Sequence, residues 1–471
     1  MKKLWLKALY ISLFLYLCAF QKHYTMKYKI SKGLDLKLAG EPVDKEVSIP
    51  MSKTFYVKPT DFRWFTPRLR VQEGASVDVG TPLFADKQDE RIVLVSPVKG
   101  TVRQIVRGEK RAIQAVVIEA DETPVVTRTV DFAEPTDSAT IREILLQNGL
   151  WACLRQRPFS TMPSPDVTPT AVFVSCFDSA PLAPDYNILL RGREEAFHKG
   201  IGILRLAADN APVHICMRED GQNELFESCE NVSKHYFSGP HPAGNVGTQI
   251  HLVSPINKGD VVWFVHPAEV ARIGQLFLNH TLSFDKKVAR TGPCLATTGY
   301  FDTVYGADIS DILFANLPDK SFRNISGNVL TGALLAEFPT VRFYDYQTTV
   351  IEEGGKREFI GWLLPGFKKW SFSHTYLSWL TKNKVYQHNT SLHGGRRTFM
   401  MTDVYDKVFP FDIIPLSLLK ACYIKDIEQM EALGIYEVDD EDFALCEVVC
   451  PSKMECQQIV RDALCELRVK S

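Results

Sequence analysis

The chain has 471 residues, beyond the length at which a single core keeps growing, so two to four domains are expected. With 54 Lys and Arg against 56 Asp and Glu, the net charge of −2 leaves no broad basic field and argues against nucleic acid as the main partner. Eleven cysteines at irregular spacings in so long a chain read as reduced thiols, which excludes a disulfide framework as the basis of the fold.

Residues 1–25 carry a basic start and an apolar stretch from Ala8 to Phe20, too short for a spanning helix and followed by no small-residue cleavage site. The expectation is a sequence upstream of a start at Met26, with a membrane anchor or an export signal as alternatives. Residues 26–122 then read as short strands broken by turns at Gly74, Gly80, Gly100 and Gly108. "EGASVDVGTPLF" and "SPVKGTVRQI" have the pattern of the barrel-sandwich that carries biotin or lipoate. The attachment motif is absent, because Lys87 stands ten residues before Pro97 and is followed by Gln88. Lys87 reads as a solvated turn residue.

A polar connector leads to an amphipathic helix, with Thr140 and Glu143 as its expected capping box, Ile141, Ile144 and Leu145 on one face, and Gly149 at its end. Strands "TAVFVSCF", "VHICM" and "DVVWFVH" then alternate with helices around Glu194–Leu206 and over "PAEVARIGQLFLN". This alternation predicts a Rossmann-like α/β domain over 138–284 with a mostly parallel sheet. Short strands return over 287–350 and suggest a β-grasp module. Residues 351–414 are mixed, and 415–471 form a helical end with apolar residues at three-to-four spacing.

The run "FSGPHPAGNVGTQIH" has glycines spaced as in a phosphate-binding loop, but Asn245 and Val246 stand where a P-loop needs Lys and Ser or Thr. Gly239, Gly244 and Gly247 do not fit a dinucleotide fingerprint either. Cys446, Cys450, Cys456 and Cys465 lack the two-residue gaps of a ferredoxin cluster, and no paired set suits zinc. "CLRQRPFSTMPSP" offers arginines that could donate to a quinone carbonyl or a carboxylate, beside a phenylalanine that could stack on a flat ring. "KPTDFRWFTPRLR" is similar in kind, an aromatic cluster ringed by basic residues that reads as an interface if exposed and as core if buried. No catalytic triad or His-Glu-x-x-His motif is present.

"KISKGLDLKLAG", "SPVKGTVRQIVRGEKRAIQAVVIE", "NGLWACLRQRPFS", "GPHPAGNVGTQIH", "ISGNVLTG" and "DDEDFALCEVVCPSK" occur in order along nearly the whole chain after residue 25. In these stretches the sequence resembles the NqrA family, which belongs to the sodium-translocating NADH:quinone oxidoreductases (Na+-NQR). The resemblance implies a peripheral component on the cytoplasmic face of the bacterial inner membrane, docked on the other Na+-NQR proteins, NqrB to NqrF, and chiefly on the membrane protein NqrB. It implies a β-grasp module of the SLBB type, and flavins, iron centres and the NADH site on the partner proteins. It implies quinone as this chain's ligand, with no catalytic side chain, bound cofactor or metal of its own. The segments equivalent to Tyr56–Pro67 and Leu154–Thr161 are the ones linked to quinone, so Tyr56, Phe62, Arg155, Arg157 and Phe159 are carried over as candidate contacts. A redox-silent scaffold is the alternative. The related RnfC proteins of Rnf-type oxidoreductases carry two cluster motifs that this chain lacks.

Overall fold

The computed structural model describes residues 26–314, 321–354, 365–367, 369–381 and 384–470. The expectation for residues 1–25 lies outside these, as does part of the mixed stretch 351–414.

The first unit is an antiparallel barrel-sandwich. One sheet orders the strands Thr54–Val57, Ile113–Ala120, Gly100–Arg107 and Ser76–Val77, and the other Pro67–Leu69, Pro82–Asp86 and Val93–Val95. Phe55, Val57, Leu83, Phe84, Val102, Val116 and Ile118 fill the space between them. The carrier-like lysine, Lys87, is exposed on a turn.

The α/β unit is a six-stranded sheet in the order Met26–Lys29, Ser233–Ser238, Val213–Arg218, Ala171–Ser175, Val262–Phe264, Arg155–Arg157. All pairings are parallel except the last, where Arg155–Arg157 runs antiparallel to Val262–Phe264. Met26–Lys29 thus completes this sheet although it precedes the barrel in sequence. The "AVFVS" strand is an unbroken apolar run because helices and loops cover both faces of the sheet. Helices Glu194–Ala207 and Pro267–Asn279 pack closely on one another. At Gly274 a methyl group would collide with the Ala196 carbonyl, and at Gly200 with that of Val270, so glycine is needed for the backbones to approach. The expected capping box is replaced by a cap three residues earlier. Asp137 accepts from the Thr140 N–H at 2.8 Å and from its hydroxyl at 2.8 Å, and the helix runs Ser138–Gln147. Aspartate outcompetes threonine here because its two oxygens serve both donors at once.

Beyond the sheet, Asp285–Thr291 pairs antiparallel with Gly299–Val304 and parallel with Gln347–Glu352, which in turn pairs with Phe322–Ser326. Ile309, Ile312 and Leu313, at the short helix Ser310–Phe314, pack with Val288 and Phe301 on this β-grasp sheet. The C-terminal helices Pro415–Ile424, Ile427–Ala432, Ala444–Val449 and Cys456–Lys470 enclose a separate core that includes Phe409, Leu419, Phe443 and Leu464.

Candidate functional site

A cavity of about 520 Å³ opens where these four units meet. It lies at the carboxyl ends of the adjacent parallel strands Ala171–Ser175 and Val262–Phe264, the side of an open α/β sheet where ligands usually bind. The sheet contributes Ser175, Asp178 and Phe264, the glycine-rich loop His241 and Gly244, and the start of the following helix His266. Thr60, Asp61 and Arg63 arrive from the barrel, Tyr344 and Tyr346 from the β-grasp unit, and Asp439, Asp440 and Glu441 from the helical end.

One wall is aromatic. His266 stacks on Tyr346 with centroids 4.0 Å apart and meets Tyr186 edge-on at 4.8 Å. Its Nδ1 accepts the Ala268 N–H, and burial pushes its imidazole down to about 3, so the ring is neutral. The Arg155 guanidinium sits over the rings of Phe264 and Tyr344 at 4.4 and 4.3 Å. Behind this wall, the buried Lys286 ammonium donates to the carbonyls of Arg342, Phe343 and Asp345 at 3.0, 2.6 and 2.8 Å. Burial pushes that amine down to about 8, while three carbonyls and the nearby Glu269 still favour its charge. Glu269, itself buried, pairs with Arg272 and accepts the Tyr346 hydroxyl. These bonds hold residues 342–346 rigid, and with them the two tyrosines that face the cavity.

The opposite wall is ionic. Arg63 pairs with Asp439 and Asp440 at 2.5 Å each, Arg461 with Asp440 at 2.6 Å, and Arg342 with Asp345 at 2.7 Å. Burial raises the Asp439 carboxyl, but the Arg63 and Arg157 guanidiniums outweigh it and hold the group below the usual carboxylate range. Asp178 has no such partner among the described residues, and burial pushes it up to about 6. Among the described residues Arg155 makes no ion pair or side-chain hydrogen bond, so its N–H donors remain available.

The structure distributes the five sequence candidates unevenly. Arg155 lines the cavity. Arg157, two residues on, is fully buried and pairs with Glu441 at 2.5 Å and Asp442 at 3.0 Å, behind the acidic wall. Phe62 is core, 3% exposed and packed on Phe343 at 4.9 Å. Phe159 lies between Trp64 at 5.6 Å and Tyr436 at 6.3 Å, joining the barrel to the helical end. Tyr56 is not among the lining residues, and its hydroxyl donates to Asp308 at 3.3 Å. The candidate segments do meet at the cavity, but through Thr60, Asp61, Arg63, Arg155 and Ser160. His241 lies in the glycine-rich run singled out in the sequence, though as part of a loop expected to bind nothing, while His266, Tyr344 and Tyr346 carried no sequence signal, since an isolated histidine or tyrosine beside an apolar run looks like core.

The glycine-rich loop is filled by protein. A methyl group at Gly239 would strike the Ile30 carbonyl, and one at Gly244 the Ser179 amide. At Gly247, near the start of helix Val246–Val253, the Asp442 carboxylate occupies the adjacent space. Cys446, Cys450 and Cys456 are buried in the helical core, where the Cys450 sulfur lies 3.0 Å from the Tyr405 hydroxyl, while Trp64 Nε1 donates to Cys465 at 3.0 Å. No group of three His, Cys, Asp or Glu among the described residues is placed to hold a metal ion.

Comparison with known proteins agrees with this architecture. Residues 28–121 match the family described as the NqrA N-terminal barrel-sandwich hybrid domain, 136–282 the NqrA second alpha/beta domain, and 287–337 the NQRA C-terminal domain. The NqrA component of the Na(+)-translocating NADH-quinone reductase of Yersinia pestis bv. Antiqua (strain Angola) is 36% identical over 443 residues, covering 93% of this chain and 99% of the relative. That of Neisseria meningitidis serogroup B (strain ATCC BAA-335 / MC58) is 35% identical over 440 residues, covering 93% and 98%. The chain belongs to the NqrA family. It is therefore a component of a Na+-translocating NADH:quinone reductase, an oxidoreductase that is also a translocase. As an NqrA it is one part of a multi-subunit enzyme, and no helix among its described residues is long and apolar enough to cross a membrane.

Proposed function

We propose that this NqrA binds a quinone headgroup in the four-unit cavity and docks on the membrane proteins of the sodium pump, chiefly NqrB, at the cytoplasmic face. Flavins, iron centres and NADH reside on the partners, and the chain supplies no redox group. The single observation that carries the reading is Arg155. It is the one cavity arginine without a carboxylate partner among the described residues, and it lies against two aromatic rings. A flat ring placed along Phe264, Tyr344 and His266 would receive a charge-assisted hydrogen bond from Arg155 on a carbonyl oxygen. Such a bond contributes about 1.5–3 kcal/mol. The residues that hold the wall rigid, Lys286 and Glu269, act as positioning residues.

The test is equilibrium binding of a short-chain ubiquinone to the purified chain. Arg155→Ala is expected to weaken binding roughly 10- to 100-fold, and Arg155→Lys to recover part of the loss. Unchanged binding in Arg155→Ala would overturn the assignment.

The second reading, a redox-silent scaffold, is favoured by the ionic wall, since quinone sites are mostly apolar with few polar anchors. A chain that binds no quinone, yet is required for the partner proteins to purify together, would decide for the scaffold.

A further inference from the structure

Between Pro365 and Thr402 the sequence holds six Lys and Arg and not one Asp or Glu, within a chain whose overall charge is −2. Phe367, Trp379, Leu380 and Val385 in this stretch are 62, 51, 60 and 54% exposed. Scattered exposed apolar residues are ordinary, but these belong to one small lobe. Leu377 N–H donates to the Pro365 carbonyl at 2.9 Å, and the Lys384 ammonium to that of Phe367. Lys369 lies over the Tyr376 ring at 5.6 Å, and Trp379 meets His374 edge-on at 5.8 Å. The lobe is tied to the body through Tyr386, which exchanges backbone hydrogen bonds with Lys37 and Ala39. Aromatic and aliphatic side chains thus stand out beside ammonium groups, in a stretch of sequence that carries positive charge alone.

We propose that this lobe is a membrane-contact surface that inserts Phe367, Trp379 and Leu380 into the headgroup region of an anionic lipid bilayer, with Lys369 and Lys384 against lipid phosphates. Tryptophan favours that region because its ring is apolar and its N–H polar. Basic residues are drawn to the negative surface potential over about a Debye length. Charge complementarity selects lipid as the occupant, because the stretch holds no carboxylate of its own to give the mixed signs usual in a protein–protein rim, and the ion pair that reaches it, Arg396 with Glu455 at 3.2 Å, lies at its far end, away from Lys369 and Lys384 in sequence. The inference is independent of the quinone reading, and either can fail alone.

The test is co-sedimentation of the full chain with phosphatidylglycerol/phosphatidylcholine vesicles and with pure phosphatidylcholine vesicles. All variants retain the apolar residues 8–20, so any binding by that stretch is common to them. Binding to the anionic vesicles is expected to exceed that to neutral ones by about tenfold or more and to fall steeply at high salt. Lys369→Glu with Lys384→Glu should lower the anionic-vesicle partition at least about tenfold. Trp379→Ser with Leu380→Ser should lower it on both vesicle types. Equal binding to the two vesicle types by the parent would overturn the proposal. So would parent-like vesicle binding in both double variants. If the variants bind vesicles normally but fail to assemble with the membrane proteins of the pump in lipid-free detergent, the lobe is a protein contact, and the lipid assignment is likewise overturned.

Discussion

Arg157→Leu tests the central energetic claim about how the helical end is held. The guanidinium is fully buried between Asp442 and Glu441 and lies 4.0 Å from Asp439. Removing it leaves two buried carboxylates short of a cation, since among the described residues Asp442 has no other arginine and Asp439 keeps only Arg63. Breaking a buried pair from one side costs about 3–5 kcal/mol. If the helical end unfolds together with the α/β unit it is pinned to, as one cooperative unit of about 150–250 residues, that is a fall in Tm of roughly 6–20 °C. The pH dependence carries the sharper signature. Burial already pushes the Asp442 carboxyl up while Arg157 opposes it. Without the arginine, the folded-state pKa rises further above its unfolded value. A group shifted upward stabilises most below the unfolded pKa and loses that contribution as pH rises through the folded pKa. The deficit of the variant relative to the parent should therefore be larger at pH 8 than at pH 5. Urea unfolding at both pH values, followed by tryptophan fluorescence, measures it, and Asp442→Asn in the Arg157→Leu background should restore part of the loss at pH 8. A deficit below about 1 kcal/mol, or one independent of pH, would refute the reasoning.

Gly274→Ala should destabilise the chain by about 1–3 kcal/mol, because the added methyl meets the Ala196 backbone across the helix crossing. Gly202→Ala, on the exposed face of the same helix pair with open space around it, should instead gain about 0.5–1 kcal/mol; thermal melts compare the two. Asp178, raised to about 6 by burial, contributes stability below its unfolded pKa that is lost as pH rises through about 6. Asp178→Asn should therefore raise the Tm at pH 8 and leave it nearly unchanged at pH 4.5, and an equal change at both would refute the assignment.

Local chemistry made much of the architecture legible in the sequence. The helix expected around Glu194–Leu206 forms as Glu194–Ala207, and "PAEVARIGQLFLN" forms over its whole length, because proline opens it and its apolar residues recur at helical spacing. The cap was misplaced by three residues because Asp137 and Thr140 both qualify, and only the backbone geometry chooses between them. The edge strand Met26–Lys29 was invisible, since its partner Ser233–Ser238 lies about two hundred residues away in sequence.

The candidate site divides along the same line. Aromatic and basic residues marked two loops, Tyr56–Pro67 and Leu154–Thr161, and both loops contribute residues to the cavity wall. Which members face the cavity could not be read there. Arg155 and Arg157 sit two apart on one short strand, yet the first lies over Phe264 and Tyr344 with its donors free. The second is neutralised by Glu441 and Asp442, 284 and 285 residues further on. Residue type and periodicity determined the elements and the stock of charges. Tertiary structure alone decided which charges found partners, because an ion pair depends on separation in space, and the chain brings distant residues together only when it folds.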